Sequence, residues 1–469
     1  MEKPASVFPR ILFLSCIAAL GGFLFGYDSG VINGTVTALR NAFGASDIGS
    51  GFNVASMLLG CAAGAFCAGR IADRFGRKPA LIMAAVFFAI SAWGSGISSG
   101  SLEFIIYRLI GGFAVGAASI ISPAYISEIA PAAYRGRLAT LQQLAIVLGL
   151  FFAFLVNYLL ARTAGGASAE FIFGFQTWQW MFWVELIPVS IFFVGLLFIP
   201  ESPRYLVAAG KVEEAKKVLA SVSSWQEAET KVKEIEATLN VGQRPRMSDI
   251  LDGITKKVHP IVWVGLAIAA LQQLVGINVV FYYGEVLWGA AGFSEENALL
   301  INVIGGIINV SATIGAILLV DKWGRKPLLI LGGAMMAFFL GILAIVFGNA
   351  DMGPEGNLQL GTTAGVVALI CANLYIVGFG ISWGPVMWVL LGEMFPNRLR
   401  GAALSIAGLA QWLTNFLVTI TFPVLLSDIG LGGAYSIYAF FAIIATFYAW
   451  KIVPETKGRT LEDMRTSRE

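Results

Sequence analysis

The sequence is poor in histidine and in charged residues. His259 is the single histidine among 469 residues, and Asp, Glu, Lys and Arg together make up 13% of the chain. A soluble domain carries about 25% charged residues, so this composition excludes an ordinary soluble protein. One histidine also excludes a histidine-based metal or catalytic cluster. The net charge of +2 gives no indication of a nucleic-acid partner.

Cysteine is scarce as well. The four cysteines, Cys16, Cys61, Cys67 and Cys371, all lie in apolar segments and lack metal-ligand spacing. We interpret them as small packing residues. The sequence offers no set of nucleophile, base and metal ligands, so it predicts a protein that is not an enzyme and uses no metal or cofactor.

Apolar residues are abundant, at 57% of the chain and a mean hydropathy of +0.77. They form twelve runs, each long enough for a membrane helix of about 20 residues. Gly and Ala are frequent in them, as close helix packing in lipid requires. The sequence therefore predicts an all-α membrane protein with twelve transmembrane helices, at roughly 11–33, 52–72, 80–98, 103–125, 138–160, 178–199, 261–288, 297–320, 327–347, 363–392, 402–425 and 434–453.

The basic residues define the orientation. If both termini lie in the cytoplasm, all of the 31 Lys and Arg fall on the cytoplasmic side except Arg40, Arg108 and Arg162. Positive charge is retained on the cytoplasmic side of membrane proteins. We expect a multi-pass protein of the cytoplasmic (inner) membrane with both termini inside.

One long polar stretch divides the chain. Residues 1–200 are predicted to form a first six-helix bundle and residues 261–453 a second one, followed by a cytoplasmic tail at 454–469. The stretch between them, 201–260, has helical spacing and interleaved charge. We predict short amphipathic helices at the cytoplasmic face; a solvated linker is the alternative.

The two halves repeat. DRFGRKP at Asp73 recurs 248 residues later as DKWGRKP at Asp321. PESPR at Pro200 returns 254 residues later as PETKG at Pro454. The set Glu128, Pro131, Arg135 and Gly136 recurs 265 residues later as Glu393, Pro396, Arg400 and Gly401. Such duplication is how two-bundle transporters place one site between their halves.

Three charged residues lie at a common depth within their predicted spans. Asp28, Arg108 and Glu185 each fall about 9–11 Å below the outer surface at about 1.5 Å per residue. An arginine in a membrane needs a counter-charge. Pairing favours the ionised form of Asp28 and burial favours its neutral form, so we expect Asp28 to bind and release a proton. The alternatives are a solvated Asp28 near the helix end and a static structural pair.

Uncharged polar and aromatic residues also lie deep in the spans. Amides both donate and accept hydrogen bonds, and aromatic rings suit the C–H faces of a sugar. The set argues against an ionic substrate, although such residues also serve as interhelical hydrogen bonds. Gly276 permits a helix break, as found at transporter binding sites. The members are Gln143, Gln272, Gln273, Asn278, Asn309, Trp388, Gln411 and Trp412.

QQLVGINVVFYY (272–283), PESPR and PETKG together resemble the sugar porter family of the major facilitator superfamily. DRFGRKP is less specific, because drug-efflux members share it. The resemblance runs through all twelve spans. It implies two pseudo-symmetric six-helix bundles that rock around a central site. Within the family, the chain is similar to the bacterial D-xylose and glucose proton symporters and to the human facilitative glucose transporters.

The resemblance also implies roles for individual residues. The residues that it implies form hydrogen bonds to the sugar are Gln143, Gln272, Gln273, Asn278 and Trp388. The surrounding wall falls on Phe25, Tyr282, Asn309, Phe379, Gly384, Gln411 and Trp412. Leu150 and Phe281 stand where the xylose symporter has Gln and Leu, as in the glucose transporters. A less polar wall favours a hexose, by about 1–3 kcal/mol, so we prefer glucose and leave xylose and galactose open.

Proton-coupled members of the family carry Asp at the position of Asp28, and facilitative human members carry Asn. Arg108 and Glu185 match the partner positions. The resemblance therefore implies proton symport. It also implies a cytoplasmic gate of charge pairs that hold the inner end closed, although a topology signal alone is the alternative. The gate residues are Arg74, Arg77, Glu128, Arg135, Glu201, Arg325, Glu393, Arg400 and Glu455.

The sequence thus predicts a monomeric importer of a monosaccharide, hexose before pentose, driven by a proton as the coupling ion. An uncoupled facilitator is one alternative. A membrane sugar sensor that does not transport is another, although the predicted tail at 454–469 is short for signalling.

Overall fold

The computed structural model describes residues 8–240, 258–353, 358–395 and 400–457, and the side chains of residues 132–137, 139, 238–240 and 400 lie outside the described part. The described residues are almost entirely α-helical. Eleven of their helical stretches are long and apolar enough to cross a membrane.

The helices of the first half, except the second, overlap the predicted apolar runs. They are α1 (Phe8–Val31), α2 (Val36–Phe43), α3 (Asp47–Phe75), α4 (Arg77–Ile97), α5 (Ser101–Ile129), α6 (Ala132–Ala164), α7 (Thr177–Trp183) and α8 (Leu186–Phe198). α7 and α8 form a single crossing. It is interrupted beside Glu185, where Pro188 has no N–H to offer the carbonyl of Val184.

Three short helices follow, α9 (Pro203–Ala208), α10 (Val212–Ala220) and α11 (Trp225–Asn240). They confirm the amphipathic helices predicted in this stretch. Their apolar faces meet in a small separate core that includes Leu206, Leu219 and Val232. The remainder of the predicted linker, residues 241–257, lies outside the described residues.

The second half begins with a span in three pieces. Its elements are α12 (Pro260–Leu274), α13 (Ile277–Tyr282), α14 (Gly284–Ala290), α15 (Glu295–Trp323), α16 (Arg325–Gly348), β1 (Asp351–Met352), β2 (Leu358–Gln359), α17 (Thr362–Gly380), α18 (Pro385–Met394) and α19 (Arg400–Lys451). β1 and β2 pair as a small antiparallel hairpin.

α19 contains two membrane crossings. Its apolar stretch Gly401–Lys451 has 51 residues, or about 75 Å if straight, whereas the hydrocarbon core of a bilayer is about 30 Å thick. The helix turns back at Gly430, whose φ is +67°. Two crossings in α19 bring the described total to twelve, as the apolar runs predict.

The internal repeat is visible in how two long helices begin and end. Ser46 caps the start of α3 and Ser294 caps α15, each accepting a backbone N–H from the third residue of its helix. Both helices end at a glycine with positive φ, +100° at Gly76 and +91° at Gly324. Each pair of positions is 248 residues apart, the offset of the repeated DRFGRKP motif.

Helices pack mainly with others of their own half. α3 lies on α5, and α1 on α6; in the second half, α16 lies on α19 and α17. Four helix pairs join the halves, α3 with α19, α6 with α15, α2 with α14 and α1 with α13. We call the end that holds Asn33 and Ser46 the outer end, following the orientation that the basic residues predict.

Candidate functional site

The span that carries QQLVGIN breaks at its centre. α12 ends at Leu274 and α13 begins at Ile277, with Gly276 between them at φ +81°. Residues with a Cβ rarely adopt this conformation, and a Cβ here would lie 2.6 Å from the ring of Tyr438. The break predicted at Gly276 is therefore confirmed.

Four of the predicted amides meet at this break. Gln273 donates to Gln272 over 3.0 Å and accepts from Asn278 over 2.6 Å. Gln411 on α19 also donates to Gln272, over 3.1 Å. Gln272 and Gln273 are buried. The network places polar groups where α12, α13 and α19 meet, and it fixes the direction in which each amide points.

A second break lies opposite, between α17 and α18, and was not predicted. The amide of Gln272 donates to the carbonyl of Trp383 in this break over 2.9 Å. Gly384 lies against the ring of Phe379, and the buried Asn309 lies beside Gly380 at the end of α17. Trp388 stands on the first turn of α18 and is 39% exposed. The predicted wall positions of α15, α17 and α18 thus border one discontinuity.

Aromatic residues connect this amide network to the first half. The rings of Phe25 on α1 and Trp412 on α19 are 5.7 Å apart. The hydroxyl of Tyr282 accepts from Asn415 over 3.5 Å. Phe25 and Trp412 thus meet across the two halves at the centre of the molecule.

The predicted first-half positions lie on α6. Gln143 is half-buried there, and Leu150 is buried against Gly30 of α1. Phe281 is also buried, with its ring 6.3 Å from that of Phe154 on α6. Leu150 and Phe281 therefore lie on opposite sides of the junction between the halves.

Asp28 and Arg108 form a buried ion pair. The Arg108 guanidinium contacts Asp28 Oδ1 and donates to the Asp28 backbone carbonyl over 3.0 Å. Both side chains are 1% exposed. Arg108 also lies 5.7 Å from the ring centre of Phe182 and 2.8 Å from Met57 Sδ. The contact between Asp28 and Arg108 agrees with the common depth that the sequence predicts for the two residues.

Glu185 completes a set of three buried charged groups. It is 1% exposed, and neither of its carboxyl oxygens has a hydrogen-bond partner among the described residues. The second oxygen of Asp28, Oδ2, has none there either. Two carboxyls and one guanidinium therefore share a buried site that is electrically neutral only when it holds one proton.

The first-half cytoplasmic motifs form a compact cluster. Arg77 donates to Glu128 over 3.1 Å, and Glu201 accepts the backbone N–H of Arg77 over 2.9 Å. Glu201 thus caps the start of α4, where the helix dipole favours a carboxylate. Arg74 is exposed, lies against the ring of Phe75 and makes no ion pair with another described residue.

The second half repeats this cluster. Arg325 donates to Glu393 through two bonds of 2.9 and 2.7 Å, and Glu455 accepts the backbone N–H of Arg325 over 3.1 Å. Partial burial raises the pKa of Glu455, but hydrogen bonds from four backbone N–H groups, including that of Lys457, leave it below its ordinary value.

These charge pairs join helices within one half and do not cross to the other. The side chains of Arg135 and Arg400 lie outside the described residues. A role of the predicted gate residues in holding the inner end closed stays a prediction. In this structure the pairs stabilise the inner ends of each half separately.

The outer end is closed, through residues that the sequence did not single out. Asn33 donates to the Phe281 carbonyl over 2.8 Å and accepts from Asn302 over 2.8 Å. Thr37 donates to Glu285. Between described residues, each hydrogen bond, ion pair and ring contact that joins the halves lies at the centre or the outer end.

A signal for two of these contacts was present in the sequence. Asn33 and Phe281 are 248 residues apart, and so are Thr37 and Glu285. This is the offset of the repeated DRFGRKP motif, so each contact joins equivalent positions across the pseudo-symmetry axis. Gln142 was also missed: it is buried against Gly22, and its amide has no hydrogen-bond partner among the described residues.

We expect Gly276→Ala to reduce sugar uptake at least tenfold. The new Cβ forces a strained φ, at about 1–2 kcal/mol, and meets the Tyr438 ring at 2.6 Å, so the amides on either side must move. Uptake by reconstituted protein measures the effect. Gly289→Ala is the matched control, because Gly289 lies within α14 with no atom near its Cβ position. Normal uptake by Gly276→Ala contradicts the prediction.

Two repeated halves are a feature of secondary transporters, and so are helices that break where polar groups gather, as two spans of the second half do here. The closed outer end corresponds to one state of an alternating-access cycle. These features define a membrane transporter for an uncharged polar solute.

Comparison with known proteins makes the class specific. Residues 14–467 match the model of the Sugar (and other) transporter family, and the chain belongs to that family. It is 51% identical to the glucose transport protein of Synechocystis, over 97% of both chains. It is 39% identical to the D-xylose-proton symporter of Escherichia coli K12, over 97% of this chain and 95% of the relative.

A solved structure confirms the predicted major facilitator fold. The xylose transporter XylE from E. coli, in its inward-open conformation, superposes with a TM-score of 0.82 at 39% identity, over 97% of this chain and 99% of that one. The chain is therefore a multi-pass membrane protein of the sugar transporter family.

Proposed function

We propose that the chain imports D-glucose together with a proton by alternating access. The observation that carries the coupling is the buried set of Asp28, Arg108 and Glu185. Burying an uncompensated charge costs several kcal/mol, so the set closes most readily with one proton bound. Because the carboxyls interact, that proton belongs to the set, and Asp28 is the member that exchanges it with water.

The proposed cycle begins with the outer end open. A proton from outside neutralises Asp28 and loosens its hold on Arg108, and the sugar binds at the amide network, mostly to the second half. The halves rock until the outer end is closed, the sugar leaves to the cytoplasm, and Asp28 loses its proton there and re-forms the pair with Arg108 described above. Each proton contributes about 2.3 kcal/mol per 100 mV, enough to concentrate a neutral sugar about 50-fold.

Two features support glucose as the sugar. The relative of 51% identity is named a glucose transport protein, and Leu150 with Phe281 gives the wall less polarity than the xylose symporter has. Xylose is the second candidate, supported by the D-xylose-proton symporter at 39% identity. A pentose lacks the CH2OH group that an apolar wall would contact.

Uptake of labelled sugars into proteoliposomes tests the proposal. With an inward proton gradient, we expect glucose to accumulate above its external concentration, ahead of xylose and galactose, and the outer medium to become more alkaline. Collapse of the gradient should return the glucose ratio to 1. Equilibration without accumulation or alkalinisation would instead identify an uncoupled facilitator. Binding without any uptake would identify a sensor.

We expect Leu150→Gln combined with Phe281→Leu to shift preference from glucose toward xylose by about tenfold, because one CH2OH group in an apolar pocket contributes about 1–3 kcal/mol. Competition between the two labelled sugars measures the ratio. Leu159→Gln is the matched control, since Leu159 lies on α6 but is 47% exposed. An unchanged ratio in the double variant would remove these residues from the specificity argument.

We further propose that the protein acts as a monomer in the cytoplasmic membrane. Both termini face the cytoplasm, a placement supported by the distribution of Lys and Arg. The proton is the only coupling ion in this proposal, and no metal or organic cofactor takes part.

A further inference from the structure

A buried carboxyl lies across the closed outer end. Glu285, in the first turn of α14, is 8% exposed. Its two oxygens accept from the hydroxyl of Thr37 on α2, over 2.8 and 3.1 Å. The two residues belong to opposite halves and occupy equivalent positions of the repeat, so the bond crosses the pseudo-symmetry axis. Opening of the outer end must break it.

No cation compensates this carboxyl. Among the described residues, no Lys or Arg lies within ion-pairing distance of Glu285. α14 packs against α2, α13, α15 and the 3-10 turn Ile32–Gly34. At the outer end, the titratable groups of these elements are Arg40, Tyr282, Glu295 and Glu296, and the turn carries none.

These groups have partners of their own. Arg40 pairs with Asp47 over 2.7 Å, and Glu296 pairs with Arg162 over 3.4 Å. Glu295 accepts the backbone N–H of Ala167 over 2.7 Å. The described cations of these elements and their partners at the outer end are therefore paired with other carboxylates. Glu285 is left with the hydroxyl of Thr37 and with acidic neighbours.

Closure removes Glu285 from water without a counter-charge, which strongly disfavours an ionised carboxyl. Separation of the halves takes Thr37 away and admits water to the same group. We propose that Glu285 is a second proton-binding carboxyl, which takes up a proton from outside as the outer end closes and releases it to the same side on opening. This proton does not cross the membrane; it makes closure sensitive to external acidity.

The inference rests on the alternating access of the proposed function, but not on the identity of the sugar or on the role of Asp28. One proton bound only in the closed state changes the ratio of closed to open molecules by at most tenfold per pH unit. An acidic exterior therefore promotes the closure that follows sugar binding, and an alkaline exterior promotes reopening.

Distances across the outer end test this inference. Spin labels are attached through Asn41→Cys on α2 and Asn297→Cys on α15, both exposed positions on opposite halves, with the four native cysteines replaced by alanine. Double electron–electron resonance on the full-length protein in nanodiscs, from pH 5 to 8, reports the closed fraction. We expect it to rise as the pH falls, by up to tenfold in the closed-to-open ratio per unit.

Glu285→Gln isolates the carboxyl, because the amide keeps a hydrogen-bond acceptor for Thr37 and carries no charge at any pH. In the Asp28→Asn background, where the coupling carboxyl cannot titrate, we expect Glu285→Gln to stay closed to the same extent from pH 5 to 8. Glu170→Gln is the matched control, since Glu170 is exposed at the same end of the molecule, and it should retain the full pH dependence. Thr37→Val should open the outer end at high pH, and Thr37→Ser should restore closure.

Asp28→Asn separates this inference from the coupling proposal. If the pH dependence survives in Asp28→Asn and disappears in Asp28→Asn with Glu285→Gln, the inference holds whether or not the protein accumulates sugar. A pH dependence that survives in Asp28→Asn with Glu285→Gln overturns it, as does a closed fraction that Asp28→Asn keeps constant with pH. Failure to accumulate sugar with an intact Glu285 response counts against the proposed function alone.

Discussion

Asp28→Asn is expected to abolish accumulation of sugar while leaving exchange of sugar across the membrane. Asparagine still accepts from Arg108, so the contact between α1 and α5 is kept. It cannot release a proton, so the set with Arg108 and Glu185 stays charge-balanced whichever side is open. The ratio of internal to external sugar should fall from as much as about 50-fold at 100 mV to 1.

Labelled-sugar uptake and counterflow in proteoliposomes measure the two activities separately. Asp351→Asn is the matched control, an exposed aspartate in the outer hairpin, and it should accumulate sugar normally. Glu185→Gln provides a contrast, because it removes the other carboxyl of the set and leaves Asp28 in place. Accumulation of sugar by Asp28→Asn, together with its loss in Glu185→Gln, would move the coupling proton to Glu185.

The fold could be predicted because its signals are local. A run of about 20 apolar residues has few structures open to it in a bilayer, so the twelve crossings follow from composition. Gly276 was predictable as a break because it is a glycine within a polar stretch of a span. The break at Trp383 and Gly384 was missed although Gly384 and Pro385 form a Gly-Pro pair, a dipeptide that commonly ends a helix, because the residues around it are mostly apolar.

Contacts between distant elements were harder to predict. Common depth placed Asp28 and Arg108 at one level of the membrane, but it gave no rotation of α1 or α5 about its axis. Rotation decides that Gln142 is buried against α1 while its neighbour Gln143 is half-buried. Helix periodicity in lipid carries little of this information, because lipid-facing and protein-facing positions are both apolar.

The outer contacts were missed for a different reason. Asn33, Thr37 and Glu285 follow the apolar core of their spans and look like ordinary polar residues near the membrane surface. Their role depends on which end of the molecule is closed. The same sequence adopts every state of the cycle, so it does not show which contacts form in which state. The repeat offset of 248 residues was the usable signal, because symmetry brings equivalent positions of α2 and α14 together at the axis.

Arg108→Met is expected to cause the largest loss of stability of any single change in the buried charge set. It leaves the carboxyls of Asp28 and Glu185 buried without a cation, and breaking a buried pair in this way costs about 3–5 kcal/mol. The melting temperature of the purified protein in detergent should fall markedly, and uptake should disappear. Arg70→Met is the control, since Arg70 is exposed on α3 and its loss should alter neither quantity.

A second substitution distinguishes charge from packing. Replacing both members of a buried pair by uncharged side chains is often neutral, so Arg108→Met with Asp28→Asn should recover most of the lost melting temperature without recovering accumulation. Arg108 also lies over Phe182 and donates to the Asp28 carbonyl, contacts that neither variant retains. If the double variant melts as low as the single one, these contacts stabilise the site, and the charge of Asp28 is balanced by other means.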